Sequence, residues 1–313
     1  MGKPTVLMLG AYPDWDMAPM DEAYDVRKPW LAADPELCLQ EAAPLARAIA
    51  TRGELGASAA LIDRCERLEI ICCYGVGVDA IALDRARERG VRVTNTPDVL
   101  TDDVADFALA LILAHMRKVI EGDAHVRSGA WSAGPLRLGS SPRGKTLGIL
   151  GFGRIGRAIA RRAEGFELRL AYCDVAPAAG CGYPYYKSAS ELAEASDILV
   201  AAVSGGEATR GIVNAPVLAA LGPAGLLVNV SRGSVVDEPS LIDALAQKKI
   251  GGACLDVFSN EPNIDSRLLA FENVILEPHQ SSGAVETRKA MGKLVRDNLA
   301  AHFAGRPLLT PVI

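Results

Sequence analysis

Three polar side chains stand just past runs of apolar residues in this chain. Arg232 follows "LLVNV", Glu261 falls in "LDVFSNEP" (255–262) and His279 in "ILEPHQSSG" (275–283). A guanidinium orients a carboxylate and an adjacent carbonyl, a histidine moves a proton, and a glutamate fixes and charges that histidine. Singly, each has a plainer reading. Arg232 pairs with a structural carboxylate such as Asp237, Glu261 is a loop acid before Pro262, and His279 is a turn histidine after Pro278. Of the other histidines, His115 sits among apolar residues on a helix and reads as packing, while His125 and His302 show no acid–base neighbourhood. No His/Cys/Asp group has metal-ligand spacing, so no metal is expected.

A second constellation lies earlier. "LGILGFGRIGRAIA" (147–160) contains Gly151-Phe152-Gly153-Arg154-Ile155-Gly156, a Gly-x-Gly-x-x-Gly between an expected strand and an expected helix. In that context the first glycine permits a tight turn, the second lets the backbone approach a pyrophosphate, and the third lets helix and strand pack closely. The helix N-terminus adds amides and the positive end of its dipole. The next expected strand ends at Asp174, eighteen residues past Gly156. That is where a dinucleotide fold places the carboxylate for the adenosine ribose hydroxyls. A carboxylate there repels a 2′-phosphate, so NAD is expected and NADP is disfavoured. The plainer reading of Asp174 is a solvated turn residue in "DVAPAAG".

The elements that must position these groups alternate along the chain. "TVLMLG" (5–10), "LEIICC" (68–73) and "VRVTN" (91–95) read as buried strands, separated by Ala-, Glu- and Arg-rich segments with helical periodicity. A second series runs through "KTLGILG" (145–151), "ELRLAYCD" (167–174), "DILVAAV" (197–203), "GLLVNV" (225–230), "GGACLDVF" (251–258) and "NVILEPH" (273–279). Continuous apolar strands joined by helices mean parallel sheets covered on both faces. The fold class is therefore α/β, with two doubly wound parallel-sheet domains. Between the series, 96–118 reads as one long amphipathic helix with Pro97 near its start, followed by a Gly/Ser/Pro-rich loop (128–144). A last helix over about 284–304 leads to an apolar tail, "GRPLLTPVI", expected to return to the first unit. The expected domains are 1–97 with 286–313, and 98–285.

Composition sets limits. The 313 residues suffice for two cored domains, and a net charge of −5 with no basic run gives no footprint for nucleic acid. The run Phe107 to Ala114 is far shorter than the roughly 18 residues of a membrane span. Pro13-Asp14-Trp15-Asp16 comes too early for a signal peptide, and Val6 stands where a myristoylation site needs a hydroxyl. Seven cysteines without Cys-x-x-Cys, mostly in apolar strands, read as reduced thiols in a cytoplasmic protein.

Taken together, "YGVGVDAI" (74–81), "VTNTPDVLTDDVADFALALILA" (93–114), "LGILGFGRIG" (147–156), "VNVSRGSVVDE" (228–238), "LDVFSNEP" and "PHQSSGAVETR" (278–288) resemble the D-isomer-specific 2-hydroxyacid dehydrogenases nearly end to end. The likeness is greatest to the branch reducing glyoxylate, hydroxypyruvate and hydroxyphenylpyruvate, as "NTPDVLTDDVAD", "VETRKAM" and "PLLTPV" indicate. The resemblance implies a Rossmann-type cofactor domain, a flavodoxin-like substrate domain, and a substrate held between them. Its catalytic trio maps onto Arg232, Glu261 and His279, and its substrate-carboxylate loop onto Gly75, Val76 and Gly77, with Arg232 and His279 also touching substrate. Asp256 takes the place of the nicotinamide-amide partner. Thr101, Val203, Val230, Ser231, Arg232, His279 and Ser281 join the glycine loop and Asp174 as cofactor contacts. A homodimer is implied as well. Relatives carry tryptophans in the loop after the long helix, one reaching the partner's active site. Here the loop has Trp131 alone, with Gly134 where a second would stand. Where the branch has Gly-Ser-Gly-Thr, this chain has Ser281-Ser282-Gly283-Ala284. NADPH-preferring relatives carry Ser-Arg where this chain has Asp174-Val175.

The expected reaction is hydride transfer from NADH to a 2-keto acid, with His279 giving the proton. Two alternatives stay open: a nucleotide-sensing regulator on a dehydrogenase fold, and the same chemistry on a bulkier acid such as hydroxyphenylpyruvate. Phosphoglycerate relatives add regulatory domains too long for this chain, and the formate branch's Asn/Gln pattern is not found here.

Overall fold

The computed structural model describes residues 2–313. The chain forms two compact units, residues 1–100 with 284–313 and residues 101–283. The sequence places these joins at 97/98 and 285/286.

The first unit holds five strands, β1 (Thr5–Met8), β2 (Asp25–Arg27), β3 (Ala48–Arg52), β4 (Ile70–Tyr74) and β5 (Arg92–Thr94). They pair in parallel in the order β2-β1-β3-β4-β5. This is the flavodoxin-like order. The apolar runs around 5–10, 68–73 and 91–95 become β1, β4 and β5. The helix Val285–Phe303 belongs to this unit and buries Met291, Val295 and Leu299. The tail then runs antiparallel to β5: Thr94 bridges Pro311, and the Val312 amide donates to the Val93 carbonyl at 2.7 Å.

The second unit holds seven strands, β6 (Thr146–Leu150), β7 (Arg169–Cys173), β8 (Tyr185–Tyr186), β9 (Ile198–Ala201), β10 (Leu226–Asn229), β11 (Gly252–Leu255) and β12 (Val274–Leu276). Their order is β12-β11-β10-β9-β6-β7-β8, all parallel. The order of strand addition reverses at β6, which pairs with both β7 and β9. In open α/β sheets such a switch point is where ligands bind, outside the carboxyl ends of the strands. Because every strand is parallel, the segments after β6, β7, β9, β10, β11 and β12 all leave by that one edge.

Three departures from the sequence reading have physical causes. β3 lies in an Ala-rich stretch that reads as helical, yet Ala48, Ile49, Ala50 and Thr51 are fully buried at the centre of the first sheet. Tertiary burial overrides alanine's helix propensity there. β2 and β8, with three and two residues, are too short to show a period. The long helix starts at Thr101, not near Pro97, because Asp98 takes a φ of 68° and breaks the turn. That helix (Thr101–Arg117) also spends its apolar face inside its own unit, burying Val104, Ala108, Leu109, Leu111 and Ile112. The exposed apolar residues lie beyond it: Val119, Ile120, Val126, Trp131 and Leu138.

Candidate active site

The glycine loop opens at the switch point. Gly151 has a φ of 95°, and a Cβ on it would lie 2.7 Å from the Val203 amide nitrogen. A Cβ on Gly156 would run into the Gly151 carbonyl, so this glycine lets the helix Arg154–Ala163 sit against β6. Gly153 differs. Its φ of −76° suits any residue, and a Cβ there would meet nothing within 4 Å. Nothing inside the protein asks for glycine at 153, whereas a phosphate group approaching the bare backbone does. Gly153 also stands at the helix N-cap and offers no side-chain cap, which leaves the first-turn amides for an anion. The loop therefore fits a pyrophosphate.

Asp174, at the end of β7, closes on the same loop. One carboxylate oxygen accepts the Phe152 amide at 2.6 Å and the other accepts the Val175 amide at 2.7 Å. A carboxylate has about four acceptor positions, so two remain for a pair of ribose hydroxyls. The Phe152 ring stacks on buried Tyr172 at 4.2 Å between centroids. The Tyr172 hydroxyl accepts the Ala178 amide at 2.8 Å, and the Tyr185 hydroxyl donates to the Asp174 carbonyl at 3.2 Å, so both ends of the 174–178 loop are tied.

At the same sheet edge, His279 and Glu261 meet. His279 Nδ1 and Glu261 Oε2 are 2.8 Å apart, and Glu261 Oε1 accepts the Phe258 amide at 2.9 Å. Facing a carboxylate, Nδ1 carries a proton, which leaves Nε2 for transfer. His279 takes a φ of 56°, held there as its amide donates to the carbonyls of Asp256 (2.9 Å) and Glu277 (3.0 Å). Burial pushes the Glu261 carboxyl upward. The His279 hydrogen bond and charge, the Phe258 amide and the Arg232 charge outweigh burial and hold it below the usual glutamate value. Arg232 is thus electrically coupled to the pair, and its Nη1 donates to the Ser231 carbonyl at 2.8 Å. Asp237, the structural partner considered for Arg232, accepts the Ser240 hydroxyl at 2.5 Å.

Asp256 directly follows β11 and is fully buried, its two oxygens accepting the amides of Gln280 (2.6 Å) and Ser281 (2.9 Å). Burial raises its carboxyl above the ordinary aspartate value despite these amides. Val203 follows β9 beside Gly151, and Val230 and Ser231 follow β10. Thr101 begins the long helix. Val76 and Gly77 lie in the first unit, after β4. Their carbonyls are tied inward, Val76's by Asn95 Nδ2 at 2.8 Å and Gly77's by the Cys73 thiol at 3.4 Å. Their amides find no acceptor among the described residues. Gly75, with a φ of 148°, turns the chain into this loop.

Residues 109–281 match the family model for the D-isomer-specific 2-hydroxyacid dehydrogenase NAD-binding domain. A hydroxyphenylpyruvate reductase of Plectranthus scutellarioides is 47% identical over 294 residues, 94% of each chain. This chain belongs to the D-isomer-specific 2-hydroxyacid dehydrogenase family. Its structure resembles a 2-hydroxyacid dehydrogenase from Ketogulonicigenium vulgare Y25 with a TM-score of 0.92 and 50% identity, covering 100% of this chain and 99% of the other. It also resembles an NADPH-dependent glyoxylate/hydroxypyruvate reductase from Sinorhizobium meliloti, solved with NADP and malonate (TM-score 0.91, 41% identity, 99% and 97% covered).

Some residues of this dehydrogenase's site escape sequence reasoning. Asn229 sits in the quoted "VNVSRG", yet only the structure shows its side chain closing the Arg232 turn. Gly233 packs that turn on the Glu261 loop: a Cβ on it would collide with the Phe258 carbonyl. His302 does have an acid neighbour, contrary to the sequence reading: its Nε2 lies 2.9 Å from Glu69, which Arg47 also grips at 2.6 Å. The two meet only through the fold, 233 positions apart. His115 Nε2 lies 3.2 Å from the Asn273 carbonyl, and burial holds its pKa below the usual histidine value. His125 ties the following loop back at Gly134, 2.9 Å from its carbonyl. Among the described residues no cluster of His, Cys, Asp and Glu could hold a metal ion. None of the helices there is long and apolar enough to cross a membrane.

Proposed function

We propose that this dehydrogenase reduces a small 2-keto acid of the glyoxylate or hydroxypyruvate kind to the D-2-hydroxy acid, using NADH in preference to NADPH. The Glu261–His279 pair at the ligand-facing edge of a dinucleotide-binding sheet, coupled to Arg232, carries the reading. When bound, the dihydronicotinamide supplies the hydride to the keto carbon. Arg232 binds the substrate carboxylate and polarises the keto oxygen; Val76 and Gly77 are assigned further amide donors to that carboxylate. His279, protonated, passes its Nε2 proton to the oxygen as it gains negative charge, and Glu261 stabilises the imidazolium beforehand. In reverse, His279 is the base for the hydroxy acid. Thr101, Gly151 to Gly156, Asp174, Val203, Val230, Ser231, Asp256 and Ser281 are assigned to the cofactor. Asp174 supports NADH, since a 2′-phosphate beside it meets like charge. A Sinorhizobium neighbour at 41% identity is NADPH-dependent, so each acid is paired with both cofactors in the test below.

The hydroxyphenylpyruvate reductase at 47% identity favours a second reading, the same chemistry on an aromatic keto acid. A panel of glyoxylate, hydroxypyruvate, pyruvate and hydroxyphenylpyruvate against NADH and NADPH separates the readings. The highest kcat/KM is expected for glyoxylate or hydroxypyruvate with NADH. No oxidation of either cofactor with any acid would leave a nucleotide-sensing role instead. The finer reading extends to a homodimer, supported by the exposed apolar residues from Val119 to Leu138. It also extends to the cytoplasm, supported by seven free cysteines, five of them buried as small apolar side chains.

A further inference from the structure

Asn229 ends β10 as the one polar residue of the strand Leu226–Asn229, and it is fully buried. Asparagine is disfavoured in strands, and burying an amide is costly unless its hydrogen bonds are made. Here they are made with the turn that follows. Nδ2 donates to the Arg232 carbonyl at 2.9 Å, while Oδ1 accepts the Ser231 amide at 3.1 Å and the Ser231 hydroxyl at 2.7 Å. Both ends of the side chain are thus committed to the two residues that set the direction of the Arg232 side chain. The guanidinium is tied to the same turn through its bond to the Ser231 carbonyl. Gly233 then seats the turn against the backbone at Phe258, and the Phe258 amide holds Glu261. Loosening the Asn229 bonds would let Arg232 shift relative to the Glu261–His279 pair while leaving that pair's own hydrogen bond intact.

We infer that Asn229 is a positioning residue for substrate: it aims the Arg232 guanidinium through the Ser231–Arg232 backbone. The inference rests on Arg232 being the substrate-carboxylate clamp. The test compares Asn229→Ala, Asn229→Asp and Arg232→Lys with wild type in the full-length protein. The readouts are steady-state kinetics on glyoxylate, NADH titration by fluorescence, the pH profile of kcat/KM, and thermal unfolding. Both Asn229 variants are expected to raise the keto-acid KM about tenfold or more. NADH affinity should fall much less than the keto-acid KM rises, although Asn229 also bonds Ser231, and the pH profile should keep its shape, because His279 and Glu261 are untouched. A merely structural role would lower the active fraction, and so kcat, while leaving KM alone. Asn229→Asp keeps the volume and the acceptors for Ser231, losing the donor to the Arg232 carbonyl, so it carries the test should the alanine variant not fold. A folded Asn229 variant with wild-type keto-acid KM overturns the inference, as does failure of both variants to fold. A wild-type KM in Arg232→Lys overturns instead the clamp on which it rests.

Discussion

The chemistry assigned to this enzyme depends on a charge standing next to an imidazole. Glu261 is held below the usual glutamate range, so it stays ionised throughout neutral and mildly acidic pH. A carboxyl held below its ordinary value keeps its charge until pH falls through that lowered value, so the pair's support for proton transfer is expected to be lost only well on the acid side of neutrality. Glu261→Gln removes the charge and keeps the shape, so keto-acid kcat/KM should drop about tenfold or more and lose that acid-side dependence. A kcat/KM in Glu261→Gln within about threefold of wild type would refute the coupling. For Arg232, lysine keeps the charge and loses the two-pronged geometry. Arg232→Lys is expected to cost on the order of 2–4 kcal/mol in kcat/KM with little change in NADH affinity. Asp174 sets the third expectation. Like charges a few ångströms apart near a surface repel by roughly 1–4 kcal/mol, about a ten- to thousand-fold preference for NADH over NADPH in kcat/KM. Asp174→Ser should narrow that ratio from both sides, and equal use of the two cofactors by wild type would remove Asp174 from the ribose. Residues such as these were legible because their types are costly to place at the end of an apolar strand without a ligand. Asn229 and Glu69 were not, since their partners are specified by turn closure and by tertiary packing.

At the scale of elements, six of the second sheet's seven strands are legible because long apolar runs alternate with helical ones; β8, two residues long, is not. In the first sheet the short β2 and the central β3 are hidden. Small residues such as Ala48 and Ala50 suit a strand closely covered on both faces, but they leave no periodic mark that separates it from a helix. The glycine loop gives this scale its own test, because two of its glycines are there for opposite reasons. In Gly156→Ala the new methyl pushes the helix off β6, and a loss of about 1–3 kcal/mol in stability is expected. Gly153→Ala places its methyl in open space, so thermal unfolding should match wild type while NADH binding weakens about tenfold or more. Differential scanning fluorimetry beside a fluorescence titration of NADH distinguishes the two. If Gly153→Ala binds NADH normally, the phosphate does not approach the backbone there.

For the whole molecule, apolar surface decides assembly. The long helix Thr101–Arg117 is already packed within its unit, so a two-fold contact is assigned to the exposed apolar residues that follow it, among them Trp131 (67% exposed) and Leu138 (94% exposed). An isologous dimer through this segment is expected. Sedimentation at micromolar concentration should give about twice the chain mass, and Leu138→Asp with Trp131→Ser should shift it to monomer without disturbing β6–β12. A monomeric wild type would remove the assignment.

The tail alongside β5 also constrains when the protein can fold. The first unit needs residues 284–313, and these leave the ribosome only after all of Thr101–Gly283 has been made. At typical elongation rates of about 5–20 residues per second, that is a wait of about 10–40 s. Through this interval β5 presents the backbone groups that the tail will later take up, and a bare strand edge is a template for pairing with another chain. The middle of the polypeptide can finish folding first, while residues 1–100 keep that edge unpaired until residues 284–313 arrive.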